Sequence, residues 1–151
     1  MTSSTEAIRR AHRLAWTLGL GLCFGTPCVM AALILLKVVP AGGQPPEGPT
    51  LQVGYLFTGI VFLSAAWIWW RTGQTLLGFK DLSEVRRPTV VLRECLLGAA
   101  VFELSSLLGL GYWLLVGASA PRHAWGFILL TPVLFLGLVP RLDRWLKALE
   151  A

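Results

Sequence analysis

LLGAAVFELSSLLGLGYWLLV, residues 96–116, carries a single charged side chain, Glu103. A helix of this length extends about 30 Å, the thickness of the hydrocarbon core of a bilayer. Three other apolar runs flank it in a chain of 151 residues that is 55% hydrophobic and 14% charged. Soluble domains average roughly 25% charged residues. So much apolar surface finds its solvent in lipid, and the expected fold is all-α, a four-transmembrane-helix bundle. The helices are expected at about residues 14–36, 51–70, 95–116 and 124–143, in one integral membrane domain covering 1–151.

The first run is too long for the 7–15-residue core of a cleaved signal peptide, so it is expected to stay as an uncleaved helix. KVVPAGGQPPEGPT, residues 37–50, has four prolines and three glycines and must be a loop. GASAPRHA, residues 117–124, makes a short turn. The polar stretch 71–94 has weak helical periodicity interrupted by Gly78, which fits an interfacial turn on anionic headgroups, with Thr89 as N-cap of the third helix. A docking loop for a soluble partner is the alternative. The fourth run is shortest; it needs Ala124 and the turn around Leu142 to span, with Arg141 and Arg144 snorkelling outward. VPRLDRWLKALEA, residues 139–151, reads as an amphipathic tail with Leu142, Trp145 and Leu149 on one side, anchored at the interface.

Eleven of the thirteen Lys and Arg residues fall before the first helix, between the second and third, or after the fourth; only Lys37 and Arg122 fall on the other side. The excess of cations on cytoplasmic loops places both termini in the cytoplasm, and a bacterial inner (cytoplasmic) membrane is the expected location. Trp16, Trp67, Trp69, Trp70 and Trp145 gather at that boundary, Trp113 and Trp125 at the opposite one, as headgroup-level rings do.

The chain has no zinc-ligand spacing, no glycine-rich phosphate loop and no basic stripe interleaved with aromatics, so neither a metal, nor a cofactor, nor nucleic acid is expected. Cys23, Cys28 and Cys95 form no CxxC pair and read as small hydrophobes. His12 and His123 fall on opposite sides of the membrane, which leaves no pair for haem, and no Ser–His or paired-Asp set lies in the bilayer. The chain reads as a non-enzymatic protein.

Small residues mark helix contacts in lipid. Thr17, Gly21 and Gly25 recur every four residues in the first helix, as do Ser105 and Gly109 in the third; both stripes are expected to face protein. Pro27 and Pro132 interrupt the backbone ladder of the first and fourth helices, each after a Thr whose hydroxyl can satisfy a freed carbonyl. Fixed kinks that shape a bundle are the plain reading; hinges are the alternative.

Glu103 is eight residues past Cys95, about 12 Å into the bilayer. An ionised carboxylate there costs several kcal/mol. No cationic side chain lies inside any of the four apolar runs, the fourth of which ends before Pro140, so the neutral acid is the expected form. A neutral carboxyl still needs hydrogen-bond partners. Ser106 lies one turn on, and Thr17, Tyr55, Thr58, Ser64 and Thr131 are candidates across the bundle. Two roles fit. Glu103 either joins two helices by hydrogen bonds, or, with Ser106, forms a proton or ion site.

FELSSLLGLGYWLL resembles the carboxyl-bearing helix of the proteolipid (c) subunit of rotary ATP synthases, in which an ion-binding carboxyl is followed by five residues and then Gly-hydrophobic. Glu103, Gly109 and Leu110 match that spacing, and Arg87-Pro88 resembles the polar loop before it. The resemblance covers residues 87–116 and implies a proton or sodium ion carried at Glu103. It does not extend to the second segment, which has only Gly54 and Gly59 and bulky rings in place of closely repeated glycines. The chain also has the general look of small four-helix bacterial membrane proteins. The leading expectation is an accessory or structural subunit, partnered by lipid and by other membrane subunits or further copies of itself. The alternatives are a proton- or ion-translocating subunit using Glu103, and a small oligomeric transporter with Pro27 and Pro132 as hinges.

Overall fold

The computed structural model describes residues 2–150. It contains five α-helices: α1 (Thr2–Leu35), α2 (Pro49–Leu77), α3 (Arg86–Val116), α4 (Pro121–Leu138) and α5 (Leu142–Glu150), with one 3-10 turn at Gly117–Ser119. No strand occurs among the described residues. Four stretches, Ser4–Leu35, Pro49–Leu77, Arg86–Val116 and Pro121–Glu150, are long and apolar enough to cross a membrane.

The long helix α3 is the axis of the bundle. It packs extensively on α1 and α4 and less on α2, while α1 and α2 make almost no direct contact. The α1–α2 connection therefore drapes over the end of α3. The Gly42 amide donates to the Trp113 carbonyl at 3.1 Å and the Gln44 amide to the Leu115 carbonyl at 3.3 Å. These bonds satisfy carbonyls of the last turn of α3, which have no partner within the helix. The approach is close enough that a Cβ on Gly42 would run into the Leu115 carbonyl.

Helices extend further into the polar segments than expected. α1 continues to Thr2, α2 runs on through Arg71 to Leu77, and α3 starts at Arg86. The expected loop of residues 71–94 thus shrinks to residues 78–85, and Thr89 lies inside α3 rather than capping it. The reason is tertiary. Ile8, Phe79, Val91 and Trp145 are buried together at this end, so polar turns hold their helical form by packing one apolar side. α4 begins at Pro121, and Arg122 and His123 fall in its first turn rather than in a loop. It ends before Pro140, where Val139 takes the extended conformation (ψ 127°) that a following proline favours. Leu142 belongs to α5, so α4 supplies 18 residues, about 27 Å, by itself.

The tail does not present Trp145 at a free surface. α5 folds back onto the bundle, and Trp145 is fully buried with its ring 4.9 Å from that of Phe79. His12 Nε2 donates to the Pro140 carbonyl at 3.1 Å, clasping α1 to the α4–α5 corner. Trp67, Trp69 and Trp70 are exposed on α2.

Candidate functional site

The contact between α3 and α4 is polar and close. Ser105 Oγ donates to the Phe127 carbonyl at 2.7 Å. Ser106 Oγ lies 2.7 Å from Thr131 Oγ1 and 3.4 Å from the Ile128 carbonyl, and Thr131 Oγ1 donates to the Phe102 carbonyl at 3.1 Å. The Ile128 carbonyl is the one that Pro132, lacking an N–H, leaves without its helical partner. Thr131 gives its proton to the Phe102 carbonyl, so the proton of the 2.7 Å contact comes from Ser106, and the Ile128 carbonyl stands at the edge of its reach at 3.4 Å. At Gly109 the backbones come so near that a Cβ would stand 2.9 Å from the Ala124 carbonyl oxygen. Ser105 and Gly109 therefore lie in the contact between α3 and α4.

The corresponding expectation for α1 needs correction within the chain. Thr17, Gly21 and Gly25 lie on the outer face of α1, and a Cβ at Gly21 or Gly25 would meet nothing within 4 Å. The buried face is formed by Ala15, Gly19 and Cys23, with the Phe135 ring lying over Gly19. The two sets are offset by two residues, about 200° around a helix, so only one of them can face α3. Pro27 breaks the ladder on the buried side of α1.

Glu103 sits near the middle of α3, 7% exposed, with both carboxyl oxygens buried. It lies one turn past Ala99, whose carbonyl accepts a bond from Cys23 Sγ at 3.6 Å. Neither carboxyl oxygen has a hydrogen-bond partner among the described residues. Ser106 and Thr131, expected to serve the carboxyl, instead bond to each other. Tyr55 and Thr17 are exposed, and Thr58 donates to the Gly54 carbonyl of its own helix. The structure therefore separates two features that the sequence joined: a hydroxyl network that fastens α3 to α4, and an acid left outside it.

Two features of the basic end escaped the sequence. Arg71 Nε and Nη2 donate to Glu94 Oε2 and Oε1 at 2.9 and 3.0 Å, Arg93 adds bonds of 3.2 and 3.0 Å to Oε1, and the Arg71 guanidinium stands 5.5 Å from the centre of the Trp67 ring. Both partners lay at the limits of apolar runs, where a charge looks merely like a boundary. Beside them a cleft of about 700 Å³ opens between the end of α2, the following turn, and α5.

All three cysteines are free thiols, Cys23 and Cys95 buried and Cys28 exposed. No group of three or more His, Cys, Asp or Glu side chains able to hold a metal occurs among the described residues. No protein-family model matches the chain, and comparisons with curated proteins and with solved structures return no match.

Proposed function

We propose that this four-helix membrane protein is a non-enzymatic accessory or structural subunit, working within a larger membrane assembly or with further copies of itself. The observation that carries the proposal is the filled centre of the bundle. Cys23, Ala99, Phe102, Ser106, Ile128, Thr131 and Phe135 are each at most 1% exposed, so the axis along which a substrate would pass is occupied by packed side chains. The α1 groove over Gly21 and Gly25, unfilled within the chain, and the broad apolar face of α2 around Tyr55, Phe62 and Leu63 supply surface for membrane neighbours. Purification from native membranes in mild detergent, with identification of co-purifying proteins and measurement of particle mass, tests the proposal. Stable companions or a multimeric particle are expected. A lone monomer retaining no partner would sink it.

A second reading is favoured by Glu103. A buried carboxyl whose two oxygens lack partners in its own chain costs about 1–3 kcal/mol. A proton-exchanging or ion-binding role gives that cost a use, in line with the proteolipid resemblance. Glu103→Gln separates the readings. A subunit serving only structure keeps its assembly with Gln, whereas an ion carrier loses activity with Gln and with Leu alike. Labelling of Glu103 by dicyclohexylcarbodiimide, suppressed by sodium or by high pH, supports the carrier; unsuppressed labelling counts against it.

A further inference from the structure

The cleft at the basic end has a divided lining. Trp69, Leu76, Leu77 and Leu138 give it an apolar wall, continuous with the outer face of α2. Lys80, Arg144 and Lys147 line it as well, against a single acidic side chain, Asp81. All three cations are exposed, and none is in an ion pair among the described residues. They come from separate elements. Lys80 sits in the α2–α3 turn, held by Arg87 Nη2 donating to its carbonyl at 2.8 Å, and Arg144 and Lys147 come from α5. Burial of Trp145 against Phe79 fixes α5 at the distance that leaves the cleft open. The cations share this cleft at one end of the four membrane-length helices, where lipid phosphates lie if those helices cross a bilayer. A free anion would need only the cations. An amphiphile uses both walls.

We propose that this cleft binds one anionic phospholipid, its phosphate held by Lys80, Arg144 and Lys147 and its upper acyl chain lying along Trp69, Leu76 and Leu77. Basic pockets between membrane helices select anionic headgroups through charge, and each Lys or Arg near the surface strengthens the attraction about fivefold. The proposal rests on membrane insertion and not on the accessory role argued above.

Native mass spectrometry of the detergent-solubilised full chain tests it, with phosphatidylglycerol and phosphatidylcholine of the same acyl chains as probes. Wild type is expected to retain one phosphatidylglycerol in preference to phosphatidylcholine. Combining Lys80→Gln, Arg144→Gln and Lys147→Gln is expected to weaken the phosphatidylglycerol adduct on the order of a hundredfold. The charge-matched control Arg9→Gln with Arg13→Gln and Lys37→Gln, whose first two positions line a different cleft beside Trp16, is expected to keep it. Equal loss in the control would mean diffuse attraction and overturn the proposal. Displacement of the lipid by millimolar inorganic phosphate would make the occupant a free anion and overturn it too. Helix content by circular dichroism confirms that each variant is folded. A chain that leaves the membrane without detergent defeats the membrane placement itself, whereas one that needs detergent but shows no headgroup preference defeats only the lipid site.

Discussion

Arg71 on α2 forks Glu94 on α3 through two parallel hydrogen bonds of 2.9 and 3.0 Å. The Glu94 side chain is 1% exposed and that of Arg71 32%. The pair is the strongest polar link to α2, a helix that otherwise touches the bundle sparingly. Arg71→Ala leaves Arg93 as the remaining partner of the carboxylate and is expected to cost about 1–3 kcal/mol. Arg71→Lys recovers only part of this, since an ammonium cannot make the fork. Unfolding in mixed detergent micelles measures both; wild-type stability in Arg71→Ala would remove the pair from the account of the fold.

Ser106 and Thr131 share one hydrogen bond, so their substitutions should not add. Ser106→Ala and Thr131→Val are each expected to destabilise by about 1 kcal/mol, and the double variant by less than the sum. Strict additivity in a double-mutant cycle would contradict the 2.7 Å contact.

The two glycine sets give opposite outcomes. Gly109→Ala drives a methyl group into α4 and is expected to cost about 1–3 kcal/mol. Gly21→Ala and Gly25→Ala meet open space and should change monomer stability by less than about 0.5 kcal/mol. A loss of assembly with retained monomer stability in Gly21→Leu would assign the α1 groove to a membrane neighbour.

Trp145→Ala empties the contact with Phe79 and is expected to cost about 3–5 kcal/mol. Limited proteolysis should then cut within residues 139–150 at a much higher rate. An unchanged digestion pattern would show that α5 docks without that ring.

Glu103→Leu replaces an unpartnered acid by an apolar side chain one bond shorter. The isolated chain is expected to become more stable by about 1–3 kcal/mol. Destabilisation would reveal a bonding partner for the carboxyl.

Hydropathy alone revealed four membrane-length helices, because a run of some 20 apolar residues has few other solutions. The helix ends were less legible. Residues 2–13 and 71–77 are polar by composition, and they are helical because Ile8, Leu76 and Phe79 pack against α5 and α3, contacts between residues far apart in the chain. Small-residue spacing marked a face of α3 that packs on α4, whereas the α1 set it marked has no neighbour within the chain. Gly19 and Cys23 carry the same four-residue period as Gly21 and Gly25, and the positions of Phe135 and Ala99 on other helices decide between them. Glu103 was legible as an anomaly. Its separation from Ser106 was not, since adjacent turns of one helix present different sides to different neighbours.

The chain drawn across the end of α3 bears on biogenesis. α1 and α2 do not form a hairpin; each leans on α3 from its own side. The first two helices therefore have almost nothing to hold each other, and their common support is synthesised afterwards. Until then the Gly19 face of α1 and the Thr72 side of α2 lack the protein surface that buries them in the folded chain. Assembly is gated by the arrival of the third span, and a mutation that delays α3 would be felt first by helices translated before it.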